Sequence, residues 1–199
     1  NAFARREGLV DRFVVLFAGN AGLSQGLEHV LAAAKALGDH REILFLLVGN
    51  GAAKPALEAQ AAEMGLGNVR FMPFQPWEEV PDLYASADVC LIPLRKGIAQ
   101  DSVPSKAWTI MAAGRPIVAS VDMGSDISTE LRQAGCALCT PPEDPAALAR
   151  AILELYADPA RRERMGANGR CYVAARYTPE IVARQYDELF RRVTRRRRA

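Results

Sequence analysis

Ser102, Ser105 and Lys106 cluster where a polar loop turns into an apolar segment, in the stretch DSVPSKAWTIMAAGRPIVAS at residues 101–120. Two hydroxyls and an ammonium around a helix start can hold a phosphate, because the first turn of a helix carries N–H groups without an intrahelical partner and a partial positive charge. Pro104 suits that first turn, and Gly114-Arg115-Pro116 stops the helix before an apolar strand. The competing reading is an ordinary buried helix, with Trp108, Ile110 and Met111 in a core and Lys106 solvated. A second candidate, Gly19-Asn20-Ala21-Gly22, follows the apolar run FVVLF. A strand that runs through glycines into a helix lets main chain approach an anion, although this is not the G-x-G-x-x-G fingerprint of dinucleotide binding. No P-loop G-K-[ST] is present, and neither His29 nor His40 has an obvious nucleophile partner, so P-loop and triad chemistry are not indicated. Cys136 and Cys139 form a C-x-x-C without a second such pair or two histidines at short spacing, which argues against structural zinc. With Cys90 inside DVCLIPL and Cys171 further on, they read as reduced thiols of a cytosolic protein.

These residues must be positioned by alternating elements. Apolar runs predict strands over 13–17, 42–48, 69–71, 88–93, 116–120 and 137–139. Between them, a helix follows Ser24 with Leu27, Val30, Leu31, Ala34 and Leu37 on one face, and further helices are expected over 55–64, 77–85, from Pro104 to the glycine stop, 125–133, 144–156, 159–174 and 179–193. Strands alternating with helices at this spacing imply an α/β fold, a Rossmann-like doubly wound and mostly parallel sheet with helices on both faces. Ligands bind such sheets at the carboxyl ends of the strands. Four segments that follow strands, GNAG, GNG, MPFQP and RKGIAQDSVPSK, should therefore converge on one crevice suited to a small phosphate-bearing ligand.

A chain of 199 residues, 50% hydrophobic and 24% charged, is an ordinary soluble globular composition able to bury a proper core. No apolar run approaches the roughly 18 residues of a membrane span, and no signal peptide is evident. The net charge of +2 is carried by the end of the chain: residues 191–199 hold six arginines and no acid, so the rest of the chain stands at −4. A mildly acidic body is not the spread basic face of a nucleic-acid binder. The tail (Arg191, Arg192, Arg195, Arg196, Arg197, Arg198) is either a solvated end or an attraction to anionic lipid, worth roughly 1 kcal/mol per Arg near a membrane surface. The chain begins with Asn; the expectation is a fragment of a longer protein, with 1–12 a linker from an absent N-terminal acceptor domain, 13–175 the binding domain, 176–193 a crossing helix and 194–199 a basic tail.

The ordered series FAGNAGLSQGLEHVLAAA, LFLLVGNGAAKPALEAQAAEMGLGNVRFMPF, YASADVCLIPL, VPSKAWTIMAAGRPIVAS and TPPEDPAALARAI resembles the nucleotide-binding C-terminal half of GT-B glycosyltransferases. It is most similar to the large retaining group 4 family. The S-V-P-S-K version resembles the branch of bacterial sugar transferases that includes fucosaminyl and colanic-acid enzymes of surface polysaccharide biosynthesis. The resemblance implies a donor site for a nucleoside-diphosphate sugar, UDP-linked in the first instance, and sugar transfer with retention, no cofactor and no obligatory metal. The family's paired acids fall on Asp101, which the resemblance puts near the anomeric carbon, and on Thr109, a departure that weakens contact with the ribose. Its basic pair after the first strand falls near Asn20 and Gln25, both neutral, leaving Lys106 as the compensating catalytic cation beside the leaving diphosphate. Gly19, Gly22 and Gly26 keep the close backbone approach. Gly49, Asn50 and Gly51, and the loop Ser102, Val103, Pro104 and Ser105, extend the donor-binding set, and Phe74 and Gln75 border the base. The implied partners are the donor and the acceptor domain of the same full-length chain, in the cytoplasm or at the inner face of a membrane through the arginine tail, with no nucleic acid. A nucleotide-sugar epimerase on the same architecture, or a non-catalytic nucleotide-binding or membrane-docking module, are the alternatives.

Overall fold

The computed structural model describes residues 1–101 and 103–196; the side chains of Asp101, Arg195 and Arg196 lie outside the described residues, as do Ser102 and residues 197–199. Six strands, β1 (Phe13–Ala18), β2 (Ile43–Val48), β3 (Val69–Met72), β4 (Val89–Pro93), β5 (Ile117–Ser120) and β6 (Ala137–Thr140), form one sheet in the order β3-β2-β1-β4-β5-β6. Every pairing is parallel. The strand order reverses between β1 and β4, and such a switch point opens a crevice at the carboxyl ends of the two strands.

Both faces of the sheet are covered, which is why its central strands read as unbroken apolar runs instead of an alternation. Val14 and Leu16 face one layer with Cys90 and Ile92, while Val15 and Phe17 face the other with Leu91 and Phe45. On the second face lie α2 (Leu27–Ala36), α3 (Lys54–Glu63) and α8 (Pro145–Ala157), and on the first α4 (Val80–Ala85), α6 (Lys106–Ala112) and α7 (Asp126–Gln133). Each fully buried large side chain contributes about 1.5–3 kcal/mol, so this two-sided core carries the stability. Cys90 and Cys136 belong to it, and burial pushes both thiols up to about 12, whereas Cys171 on α9 (Pro159–Arg176) is exposed.

The expected single helix after β1 is divided. Leu23–Gln25 form one turn of 3-10 helix, Gly26 takes a left-handed conformation, and α2 starts at Leu27. The helix expected to open at Pro104 starts instead at Lys106 with Ser105 before it, and runs for 7 residues.

Residues 1–12, expected to be a linker, are packed into the domain. Ala2–Arg6 form α1, with Phe3 1% exposed and Leu9 3% exposed in the first-face core. Asn1 caps this helix through Ala4 N–H at 2.7 Å and donates to Asp82 O at 2.9 Å, while Arg6 pairs with Glu79. The polar letters concealed two apolar anchors; the exposed ion pair adds little beside them.

At the other end, α10 (Pro179–Arg196) exposes Tyr186, Leu189, Phe190 and Val193 as an apolar stripe. Among the described residues no helix is long and apolar enough to cross a membrane.

If Phe3 is a core residue, Phe3→Ala should cost roughly 3 kcal/mol in denaturant unfolding, within the range for a buried aromatic. A loss below about 0.5 kcal/mol would return the segment to the status of a linker.

Candidate functional site

The loop after β1 and the loop after β4 enclose a cleft of about 460 Å³ at the switch point. One wall is Gly19, Asn20, Ser24 and Gln25; the other is Ile98, Val103, Pro104, Ser105, Lys106 and Thr109. The two stretches singled out in the sequence thus meet. Lys106 is the only charged side chain among the described residues that line the cleft.

Three contacts fix that lysine. Its ammonium donates to Gln25 Oε1 at 2.7 Å and stands 4.0 Å from the centre of the Phe17 ring. A Cβ built on Gly19 would come within 3.3 Å of Nζ, so the glycine leaves room for the cation as well as for close approach of a ligand. Burial pushes Lys106 down to about 8 from 10.5, because removing an ammonium from water disfavours its charged form. A cation held this way keeps donors free for an incoming anion, as a single carbonyl satisfies one of its three N–H groups.

The first turn of α6 contributes less than expected. Ala107 and Trp108 N–H already bond to Pro104 O at 3.0 Å and Ser105 O at 3.2 Å, and Ser105 makes no side-chain cap. A helix of two turns also sums few peptide dipoles. The positive charge of the cleft is therefore chiefly that of Lys106.

The other expected residues take several positions. Gly49 and Gly51 stand behind the first loop: a Cβ on Gly49 would fall 1.9 Å from Gly19 O, and one on Gly51 2.4 Å from Ala21 O. Ala21 N–H donates to Asn50 O at 2.8 Å, so the GNG turn supports the GNAG loop from the rear. Gly26 is buried under Arg95, with the Arg95 Cγ 3.4 Å from where a Cβ would stand. Gly22 adjoins Asn20 and does not line the cleft. Phe74 is exposed and reaches within 3.3 Å of the same Gly49 position, and Gln75 bonds back to Pro73 O at 2.9 Å. Asp101 ends α5 (Ile98–Asp101), its carboxyl group outside the described residues, and Ser102 is outside them too.

Three side chains that sequence reasoning passed over hold the loops in place. Lys54 Nζ donates to Gly49 O at 3.0 Å, Asn50 Oδ1 at 3.3 Å and Met72 O at 3.2 Å, tying the ends of β2 and β3 together. Arg95 Nε donates to Leu23 O at 2.7 Å, and its guanidinium pairs with Glu28. Asp122 accepts from Gly97 N–H at 2.8 Å, fixing the loop after β4. Only their places just beyond strand ends marked them in the sequence. Phe17 was visible as a strand residue but not as a platform for a cation. Among the described residues, no three His, Cys, Asp or Glu side chains are grouped to hold a metal.

A family model described as glycosyl transferases group 1 matches residues 2–171. WcaI of Escherichia coli, which carries the provisional name of a colanic acid biosynthesis glycosyl transferase, is 35% identical over 147 residues, covering 71% of this chain and 35% of that protein. Among solved structures, the sucrose-phosphate synthase of Thermosynechococcus elongatus superposes with a TM-score of 0.82 at 28% identity, over 98% of this chain and 49% of that one. The HepE protein of Anabaena in complex with UDP-glucose gives 0.82 at 20% identity, over 95% and 51%, a likeness of fold. The chain spans from about a third to half of the length of these proteins.

Two outcomes test this geometry. Gly49→Ala, at φ 141° and against a backbone oxygen, should cost roughly 3 kcal/mol in chemical unfolding through strain and overpacking. Lys106→Met should raise the melting temperature at pH 7. The cost of partly desolvating this half-buried ammonium is in full force below pH 8 and is relieved between about 8 and 10.5, where the unfolded chain still binds the proton. The gap between variant and parent should narrow by pH 10; a less stable variant at pH 7 would mean that Gln25 and Phe17 outweigh the burial.

Proposed function

Because the chain belongs to the group 1 glycosyl transferases, we propose that its cleft binds the nucleoside diphosphate of a sugar donor, UDP-linked, and that the full-length protein transfers the sugar in polysaccharide biosynthesis. The single observation that carries this reading is Lys106, a lone ammonium held by Gln25 and Phe17 at the switch point with donors to spare. In the reaction the bond between the anomeric carbon and the diphosphate oxygen breaks, the acceptor hydroxyl oxygen bonds to that carbon, and its proton is released. The charge that develops is on the leaving diphosphate. An ammonium fixed beside that oxygen, with little water to displace, stabilises it more than a mobile lysine would. Retention of configuration, with Asp101 near the anomeric carbon, is part of the proposal.

Asn20 and Thr109, both on the cleft wall, are neutral hydrogen-bonding groups suited to phosphate oxygens and ribose hydroxyls. Phe74, exposed beyond the first loop, offers a face for the base. HepE was crystallised with UDP-glucose on the same fold, which supports a UDP-sugar donor, and WcaI is named for colanic acid biosynthesis, which supports a glycan product. Acceptor binding we assign to the remaining length of the full protein, toward which the apolar stripe of α10 is available.

Calorimetric titration with UDP, GDP, UDP-N-acetylglucosamine and NAD tests the donor reading. UDP should bind, Lys106→Ala should weaken it by tenfold or more, equivalent to about 1.4 kcal/mol, and parental affinity should fall as pH rises through about 8 and the ammonium loses its proton. Preference for NAD, or UDP binding indifferent to Lys106→Ala, would sink the reading.

A further inference from the structure

At the opposite end of the sheet, where β1, β2 and β3 begin, a second concavity of about 420 Å³ is lined by Arg12, Lys35 and Arg41 together with Gly38, Gly65 and Gly67. No acidic residue lines it, and none of the three cations is in an ion pair among the described residues. Arg12 Nε is buried and has no hydrogen-bond partner. A buried guanidinium N–H left unpaired costs most of its desolvation, and three like charges around one hollow repel one another. An anion in the hollow would offset that repulsion, which is partly screened because Lys35 and Arg41 are exposed.

The ordinary explanation is that basic residues complement helix ends, and α2 and α3 do terminate here, at Ala36 and Glu63. The magnitudes do not support this as the whole account. Two helix C-termini supply about half a negative charge each, against three full positive charges. The excess has no ion-pair partner within 4.0 Å among the described residues. A Cβ added at Gly65 or Gly67 would meet nothing within 4 Å, so the rim is open.

We propose that this pocket binds a phosphate-bearing ligand, at a site separate from the switch-point cleft and facing away from it. Its volume falls within the usual range for small-molecule sites, and unpaired arginines match phosphate oxygens through parallel N–H bonds. The phosphate can belong to a soluble molecule or to an anionic lipid headgroup.

The test is a titration of the ¹⁵N-labelled 199-residue chain, followed by amide shifts, with pyrophosphate and, separately, with phosphatidylglycerol vesicles against phosphatidylcholine vesicles. Saturable shifts of Gly38, Gly65 and Gly67 are expected with at least one probe, unchanged in Lys106→Ala. Pyrophosphate alone would identify a soluble ligand, and phosphatidylglycerol vesicles alone a headgroup. Lys35→Gln with Arg41→Gln, both at exposed positions that leave the core intact, should weaken binding by roughly tenfold or more. Absence of saturable shifts with either probe, shifts confined to Gly19 and Ser105, or undiminished affinity in the double variant would each overturn the proposal.

Discussion

The pairing between β1 and β4 is the constraint on which the cleft depends. β1 is paired with β2 along its whole length, from Phe13 to Ala18, whereas its register with β4 comprises only Val15 with Val89 and Leu16 with Cys90. Beyond Leu16 the two strands part. Their loops then leave in opposite directions, one toward α2 and one toward α6, because the strand order reverses at this seam. Phe17 is left at the point of divergence with its ring available to the Lys106 ammonium, and the rest of the site is arranged around that contact.

A half-buried lysine beside an aromatic ring is costly in the free protein and useful when an anion arrives. The ring quadrupole and the Gln25 carbonyl recover part of the hydration that the ammonium has lost. They do not recover all of it, since burial still depresses Lys106. The remainder is a destabilisation that an anion in the cleft would relieve by supplying negative charge. Support for the loop facing Lys106 comes from the rear, where Gly49 and Gly51 bring a second backbone against the first with no intervening side chain. Rigidity and electrostatics are thus provided by different residues.

Much of this was legible from the residue pattern. All six strands fell within about one residue of their expected bounds; the central ones are apolar throughout because both faces are covered, and β1 and β2 end abruptly at Gly19 and Gly49. The meeting of GNAG with VPSK followed from the doubly wound order. What was hidden depended on tertiary contact. Nothing in the letters of residues 1–12 distinguishes Phe3 and Leu9 as core anchors from apolar residues of a linker; only docking against α4 does. Gln25 as the holder of a lysine 81 positions away, and Lys54 as a clasp on three acceptors, have no local signature. The left-handed Gly26 that divides the helix was equally silent, since glycine is compatible with a helix interior at moderate cost.

The distribution of thiols gives the sheet a built-in clock. Cys90 sits in β4 at the seam and Cys136 just before β6, both fully covered, while Cys171 is open to solvent. An alkylating reagent would consume Cys171 at once. It would reach Cys90 only as often as the seam between the two halves of the sheet comes apart, so the rate at Cys90, resolved from the rates at buried Cys136 and half-buried Cys139, measures the frequency of that opening without any perturbing substitution.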